Sequence, residues 1–475
     1  MSRNTLRFLL LSGGIIFYGQ IYGQLTKTYH QDSLRQWTLN VFKELKVKHP
    51  GFYRYTIKSD FDQSIDSTLA TIDRPLNTLA YYKKIKPLFA KIGCLHTGVY
   101  LNAENEKELK SHDTLLPLEL FINKNNEAFV THNYSGHQIK TGTRLLTING
   151  EPIASILRKI MAVIPSDGYN TSLKRKLLNV QFAGWYQTAL GESSTFEITV
   201  QTNEGQQSIH LKGVNKAVFP TFEELEYGFD KLLAFRIENN VGYLTLHTFS
   251  NSAIKRHGQK YNRFMKDTFA QIESRGINKL VIDVRGNTGG SDSHAVALAS
   301  YFFNQPFRYW DKIEVTEATA KEIKGTVRLF YKKPLQIDSS YHWQKMWLSK
   351  EFDFYEPVQP AKMPYNGETY IISDGLCMSS CADFVALMSY NSKAVVVGQE
   401  TGGGYQGNTS GLMPSIDLPM GLRMTVPLLK YTNAVDHNVN VGRGTIPDHI
   451  VEYNWQDWVN KTDLEMQWVD EQLGH

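Results

Sequence analysis

From about residue 236 onward, predicted strands and helices alternate, and this pattern constrains the fold more than any other feature of the sequence. The predicted strands cover residues 241–246, 279–284, 368–373 and 394–397, and helices near 258–274, 293–303 and 379–391 separate them. Strands separated by helices favour a mostly parallel sheet that is buried on both faces. This part of the chain is therefore expected to form an α/β domain.

Two earlier segments have different patterns. In residues 24–114, apolar residues such as Leu34, Val41 and Leu45 recur at helical spacing, which predicts helices. Residues 115–215 contain short alternating runs and an Asn149–Gly150 pair, which predicts strands joined by a hairpin turn. The expected fold class is therefore a multidomain α/β protein with a helical N-terminal part.

Composition excludes several classes of protein. The 475 residues correspond to about three domains of ordinary size. The 51 Lys and Arg residues against 47 Asp and Glu give a net charge of +4, which is too even to favour a nucleic-acid partner. Three cysteines are too few for a disulfide scaffold, and HExxH or paired CxxC spacing is absent, so neither a metal nor another cofactor is expected. A large enzyme or binding protein remains.

The N-terminus predicts export. Arg3 and Arg7 accompany the apolar runs 8–11 and 15–17, a pattern typical of a secretory signal peptide. These runs are too short for a bilayer span, which needs about 20 residues. We expect residues 1–23 to be removed and the protein to be periplasmic or secreted, with no stable membrane span.

The candidate catalytic or binding residues lie in two loops that follow predicted strands. Residues 285–290, Arg-Gly-Asn-Thr-Gly-Gly, follow one strand and precede a helix. Such glycines let backbone N–H groups approach a ligand, and the helix N-terminus favours an anion. Because no phosphate-binding GxxxxGK[ST] or GxGxxG motif occurs here, a developing oxyanion is a better candidate for this site than a phosphate group. A simple tight turn is the alternative.

The second loop, residues 374–378, leads into Ser379 and Ser380 at the start of a helix. Either serine would serve as an N-cap, or one of them is a nucleophile whose oxyanion meets the helix N-terminus. Both loops follow the carboxyl ends of strands, where open α/β sheets place their sites. The sequence has no GxSxG motif, which argues against an α/β-hydrolase esterase.

These motifs resemble a known family. Residues 283–290 resemble the D-x-R-x-N-x-G-G loop of the tail-specific, or C-terminal processing, serine peptidases. Residues 373–379 and 397–403 are similar to that family's S-A-x-E and G-E-x-T-x-G motifs, and residues 142–149 to its PDZ signature. The resemblance implies a crotonase-like (ββα) catalytic domain and endopeptidase activity on extended or C-terminal polypeptide segments.

The family order implies four segments, which are a signal peptide over 1–23, a helical domain over 24–114, a PDZ-like domain over 115–215 and a crotonase-like domain over 216–475. The implied partners are protein or peptide substrates, and the oligomeric state is not indicated. The alternative is a catalytically inactive member that binds peptides or apolar ligands, because retinoid-binding relatives share the fold without being peptidases.

The resemblance also assigns the nucleophile. The family's serine lies nineteen residues before the glycine of G-E-x-T, and counting back from Gly398 reaches Ser379. Choosing Ser380 instead puts Asp383 at the family's acidic position but shortens the spacing. With Ser379 as nucleophile, the backbone N–H of Ser380 is one expected oxyanion donor. The other is Gly289 or Gly290, and Gly402 and Gly403 are expected to contact substrate.

The general base of this chain is expected to differ from that of the better-known family members, which use a lysine shortly after G-x-T. Gly404 occupies that position, and residues 401–411 contain no lysine. Residues 92–98 are similar to the G-x-x-H-T segment of the tricorn-like branch, which implies His96 as the base. A histidine with its ordinary pKa near 6.5 predicts a rate that rises between pH 6 and 8. A structural role is the alternative for a lone histidine.

Two further sets of residues are left open. Residues 444–448 resemble the G-V-x-P-D segment near which the tricorn-like branch carries an acid, so Asp436 and Glu400 are candidates for orienting the base. Lys430 and His437 are more simply interpreted as strand-end and loop residues. Cysteines 94, 377 and 381 lie within two residues of proposed site residues, and they either include one disulfide or are three small buried hydrophobes.

Overall fold

The computed structural model describes residues 25–112, 114–344 and 355–474. The expected signal peptide lies outside the described residues and stays a prediction. Elements are numbered along the chain. The helices are α1 Gln31–Lys48, α2 Lys58–Ala70, α3 Thr78–Lys91, α4 Ala103–His112, α5 Ile153–Met161, α6 Ser172–Leu190, α7 Phe222–Tyr227, α8 Asn251–Arg256, α9 Tyr261–Ser274, α10 Asp292–Ala299, α11 Glu317–Glu322, α12 Ser380–Tyr390, α13 Trp455–Asn460 and α14 Leu464–Leu473. The strands are β1 Thr28–Tyr29, β2 Leu76–Asn77, β3 Gly98–Leu101, β4 Leu118–Ile122, β5 Ala128–Asn133, β6 Arg144–Ile148, β7 Glu151–Pro152, β8 Thr195–Thr202, β9 Gly205–Lys212, β10 Leu233–Glu238, β11 Val241–Leu246, β12 Lys279–Asp283, β13 Trp310–Val315, β14 Leu335–Ile337, β15 Ser340–His342, β16 Glu368–Ser373, β17 Val395–Gly398, β18 Thr409–Ser410, β19 Ser415–Leu418, β20 Leu422–Thr425, β21 Leu429–Asn433 and β22 His449–Ile450.

The chain divides into two compact units. The first comprises the described residues of 1–111, 310–356 and 408–432, and the second those of 112–309, 357–407 and 433–475. Two segments from the C-terminal half of the sequence thus fold with the N-terminal residues. The four expected segments describe the chain as consecutive pieces, and their boundaries remain a prediction.

The first unit has a helical core, as the apolar periodicity predicts. Leu34, Val41 and Leu45 of α1 are buried in one cluster with residues of α2 and α3. The cluster is closed by the three-stranded antiparallel sheet β19-β20-β3, in which Leu422 pairs with Leu101. A second sheet has the order β14-β15-β13-β21-β18.

The second unit contains the predicted parallel sheet. Its six strands have the order β10-β11-β12-β16-β17-β22, and each neighbouring pair from β11 to β22 is parallel. The central strands are buried because their apolar runs are continuous rather than alternating. Asp283 pairs in register with Ile372, and Ser373 with Gly398, so the carboxyl ends of β12, β16 and β17 lie side by side.

The second unit also contains the antiparallel sheet β4-β5-β6-β8-β9, with β7 paired to β6. The sequence patterns predicted the strands here but missed α5 and α6. In α5 the signal was present, since Ile153, Ile156, Leu157 and Ile160 are buried at helical spacing. Helix α6 is interrupted at Gln181, whose φ of −149° is not helical, and this break weakens its periodicity.

No helix within the described ranges is long and apolar enough to cross a membrane.

Candidate active site

Ser379 lies at the junction between the loop after β16 and the first residue of α12. Its backbone has φ 51° and ψ −132°, which a residue with a side chain rarely adopts. Its side chain makes no capping hydrogen bond and is partly exposed. The hydroxyl is therefore not used as a helix cap, which was one sequence-based interpretation.

Ser380 differs from its neighbour in burial. Its side chain is only 1% exposed, and its Oγ has no hydrogen-bond partner. Its backbone N–H, at the first position of α12, has no acceptor among the described residues. Such orphan N–H groups at a helix N-terminus attract negative charge. Ser380 thus offers its backbone N–H rather than its hydroxyl.

The glycine loop packs directly against Ser379. A Cβ added to Gly289, whose φ is +96°, would lie 2.8 Å from the Cβ of Ser379 and 3.1 Å from the backbone nitrogen of Ser380. A Cβ on Gly403 would lie 3.0 Å from the nitrogen of Ser379. Both positions therefore need glycine, and the two loops that the sequence analysis selected meet at Ser379 together with the motif at residues 397–403. A Cβ on Gly402 would collide with the carbonyl oxygen of Gly375.

Asn287 holds the glycine loop in place. Its buried side chain accepts the N–H of Gly289 at 2.9 Å and donates to the carbonyl of Leu246 at 2.9 Å. Its own carbonyl accepts the N–H of Met378 at 3.2 Å. The N–H of Gly289 is therefore already used. Gly290 is exposed, and its N–H has no acceptor among the described residues, so of the two glycines it is the one whose N–H stays available.

Asp374 connects both loops, and sequence reasoning had treated it only as part of a connection. Its Oδ1 accepts the N–H groups of Gly286 at 3.0 Å and Leu376 at 2.9 Å, and Oδ2 pairs with Nζ of Lys176 at 3.0 Å. Burial by itself would raise the pKa of Asp374, but Lys176 and these N–H groups outweigh it, and the pKa lies below its usual value. A polar residue directly after a buried strand was the available signal.

Glu400 and Asp436 are both occupied by other partners. Glu400 accepts hydrogen bonds from Nε of Arg443 and the N–H of Gly444, both at 2.9 Å. Asp436 accepts from the N–H of Asn438 at 2.8 Å. Neither carboxylate bonds a histidine within the described ranges. Their expected role in orienting the base therefore finds no support in these contacts.

His96 belongs to the first unit and lies in the turn between α3 and β3. It forms a hydrogen bond with the backbone of Thr409, while its buried Nδ1 has no partner. The surrounding protein desolvates the ring and lowers the pKa of His96 to about 4. The imidazole is therefore neutral, and able to accept a proton, at any pH above that value.

A second histidine of this unit, His49, was not selected by the sequence analysis. It is 2% exposed, and burial lowers its pKa to about 3. Its Nδ1 accepts the N–H of Gly51 at 3.1 Å, so Nε2 carries the hydrogen and donates to Oγ1 of Thr97 at 2.8 Å. Lys430 pairs with Glu314 at 3.1 Å, in line with a structural role.

The three cysteines are buried and form no disulfide with one another, which favours the second of their two interpretations. Cys94 donates to the carbonyl of Thr409 at 3.4 Å, and Cys377 to that of Val284 at 3.0 Å. The described ranges contain no group of three or more His, Cys, Asp or Glu side chains placed to hold a metal ion.

Residues 240–451 match the family model described as peptidase family S41. These residues therefore form an S41 peptidase domain. The S41 domain makes this protein a serine-type peptidase. The matched S41 region includes Ser379 and the loops around it, whereas His96 precedes it.

Solved structures give a further comparison for this S41 peptidase. Mature CPAF complexed with lactacystin is 13% identical, with 93% of this chain and 97% of that chain covered and a TM-score of 0.62. A structure of mature CPAF is also 13% identical, with 93% and 96% covered and a TM-score of 0.60. At this identity, the likeness shows a shared fold. The photosystem II D1 C-terminal processing protease is 14% identical over 88% of this chain and 93% of that chain, with a TM-score of 0.40.

Proposed function

We propose that this S41 peptidase is an exported endopeptidase that cuts extended or C-terminal polypeptide segments by a Ser–His mechanism. The observation that carries the proposal is the geometry of Ser379, which combines a rare backbone conformation, an uncapped and partly exposed side chain, and glycine loops packed against it. Strained residues of this kind cluster at active sites. Export rests on the N-terminal sequence alone.

In the proposed mechanism, Oγ of Ser379 attacks the scissile carbonyl and His96 takes up the hydroxyl proton. His96 then returns this proton to the leaving amine, and water hydrolyses the acyl-enzyme in the same way. The N–H groups of Gly290 and Ser380 would stabilise the oxyanion. Their support is that both N–H groups lack acceptors among the described residues.

The pKa of His96 changes the expected pH dependence. An ordinary histidine predicts a rise in rate between pH 6 and 8, but a base with a pKa of about 4 is already deprotonated there. We therefore expect kcat/KM to be flat across this range as far as the base is concerned. In the pH–rate profile, the rise in kcat/KM that accompanies deprotonation of the base should therefore occur at acidic pH, near 4.

The domain proposals rest on sheet topology. The mostly parallel six-stranded sheet with α10 and α12 following its strands supports a crotonase-like domain, and the β4–β9 sheet with α5 and α6 supports a PDZ-like domain. At the β4 edge of that sheet, Asn179 of α6 accepts the N–H of Ile122 at 2.8 Å. A peptide that added to this edge would have to replace that bond.

Fluorophosphonate labelling, followed by mapping of the modified residue, tests the proposal. We expect Ser379 to be labelled, and Ser379→Ala to lose both labelling and peptide cleavage. Ser380→Ala is the matched control and should keep most activity, because its hydroxyl is buried without a partner. Full labelling of Ser379→Ala would contradict the assignment.

The base is tested separately. His96→Ala should lower kcat/KM by roughly 10²–10⁴-fold, the range for a general base. Lys430→Ala, which removes a cation paired with Glu314, should change it little. Retained activity without His96 would refute the Ser–His mechanism. A folded chain that is never labelled and cleaves nothing would favour the inactive, ligand-binding alternative.

A further inference from the structure

A cavity of about 310 Å³ lies in the second unit, on the side of the sheet where β22 forms the edge. This volume is in the range of sites that take small ligands. Its apolar walls come from three separate parts of the chain. They include Phe121, Ile446, Pro447, Ile450 and Trp458.

Three of the four cations that line this cavity already have a carboxylate partner. Lys124 pairs with Glu452 at 2.7 Å, Lys176 pairs with Asp374 at 3.0 Å, and Arg443 pairs with Glu400. Within each pair the two charges neutralise each other, so these three cations do not require a further anion.

Arg175 is the fourth cation and differs from the others. Its guanidinium has no hydrogen bond and no ion pair with any of the described residues, and its Nε is buried. Burial also lowers the pKa of Arg175. The charges of Glu452 and Glu400, which form no ion pair with Arg175, raise this pKa but do not outweigh the effect of burial. A partly buried charge without a partner is costly. The cavity therefore has one uncompensated positive charge.

The start of α6 strengthens this preference for an anion. Arg175 lies one turn after Thr171 and Ser172, whose side chains also line the cavity and make no capping hydrogen bond at this helix end. The first turn of a helix carries a partial positive charge and favours anions. The N–H of Leu173 is already bonded to Oδ1 of Asn170, so Arg175 provides the main attraction.

We propose that this cavity binds a carboxylate that is joined to an apolar group, with Arg175 as its counter-ion. A single uncompensated charge matches a monoanion. Glu400 and Glu452 in the same lining would repel a dianion such as phosphate. The apolar walls select a ligand with an apolar side chain next to its carboxylate. Such chemistry occurs both in free small acids and in the C-terminal residue of a peptide.

Titration calorimetry on the full chain tests the site independently of activity. We expect N-acetyl-leucine to bind at least tenfold more tightly than the neutral N-acetyl-leucinamide, and more tightly than inorganic phosphate. Arg175→Gln should abolish the preference for the acid over the amide, and Arg175→Lys should retain part of it. Lys159→Gln is the matched control and should bind as the unmodified chain does, because it removes a cation that is paired with Glu151 away from this cavity.

Equal binding of the acid and the amide by the unmodified chain would overturn the proposal, and this comparison needs no variant to fold. An unchanged preference in Arg175→Gln would also overturn it. A peptide ending in Ala-Leu, with and without C-terminal amidation, distinguishes the two sources when it is added to Ser379→Ala, which we expect not to consume it. Tighter binding of the free-acid peptide than of N-acetyl-leucine identifies a peptide terminus, and the reverse order identifies a small acid.

Discussion

Nε2 of His49 lies 2.8 Å from Oγ1 of Thr97, and both side chains are buried. Thr97 directly follows His96, so this hydrogen bond connects the end of α1 to the turn that carries the proposed base. The ring of His49 is held in one tautomer because the N–H of Gly51 occupies its other nitrogen. The end of α1 and the residues just after it thus hold the His96 turn.

Thr97→Val should destabilise the protein, because it leaves the buried N–H of His49 without an acceptor. The expected loss in the free energy of unfolding is about 1–3 kcal/mol. Thr97→Ser keeps the hydroxyl and should recover most of this loss. Denaturant unfolding of the three proteins provides the measurement, and equal stability of Thr97→Val and the unmodified chain would show that the bond contributes nothing.

His49 also predicts a loss of stability in acid. Its pKa is about 3 in the folded protein and near 6.5 when unfolded, so the unfolded chain binds a proton that the folded chain does not. The contribution is fully present above pH 6.5 and is lost as the pH falls towards 3, by about 1.4 kcal/mol per pH unit. His49→Asn can accept the N–H of Gly51 but cannot be protonated. Its unfolding free energy should therefore fall less steeply between pH 6.5 and 4.5, and identical slopes would contradict the prediction.

Gly289→Ala should reduce activity strongly, because the new Cβ would lie 2.8 Å from that of Ser379. We expect kcat to fall roughly 10²-fold or more, as for the loss of oxyanion stabilisation. Gly286→Ala is the matched control, since Gly286 also has a positive φ, of +75°, but open space around its Cβ position. It should show backbone strain without the collision. A similar kcat in the two variants would show that the contact between Gly289 and Ser379 does not matter for activity.

Lys176→Met should lower the free energy of unfolding, because it leaves the carboxylate of Asp374 buried without a cation. Breaking a buried pair in this way costs about 3–5 kcal/mol. Lys159→Met removes an exposed pair with Glu151 and should cost about 1 kcal/mol or less. Thermal unfolding compares the two variants, and equal midpoints would show that Lys176 is dispensable.

The local pattern of residues predicted several strands and loops around the candidate site. Apolar runs predicted strands at 241–246 and 368–373 with the bounds that the structure has. The loops after the strands predicted at 279–284 and 368–373 were selected as the chemical region. Glycines at 289 and 403 were expected near the serine, and their missing side chains prove necessary there. These features depend on a few neighbouring residues, so a single sequence reveals them.

Other features could not be read in this way. Gly289 and Gly290 look equivalent in the sequence, and only the contact with Asn287 shows that one N–H is already used. The lowered pKa of His96 was not expected either, because desolvation depends on residues distant in the chain. The unpaired state of Arg175 likewise becomes apparent only when the partners of all other cations around the cavity are known.

The sequence by itself determined the order of elements, the parallel sheet and the two loops at its carboxyl edge, because hydrophobic periodicity and glycine positions act over short distances. Tertiary structure alone decided which groups in those loops stay available. Lys176 reaches Asp374 from α6, and His49 reaches Thr97 across forty-eight residues. Such pairs form when packing brings separate segments together and removes water, so burial and hydrogen bonding at the site are properties of the folded chain.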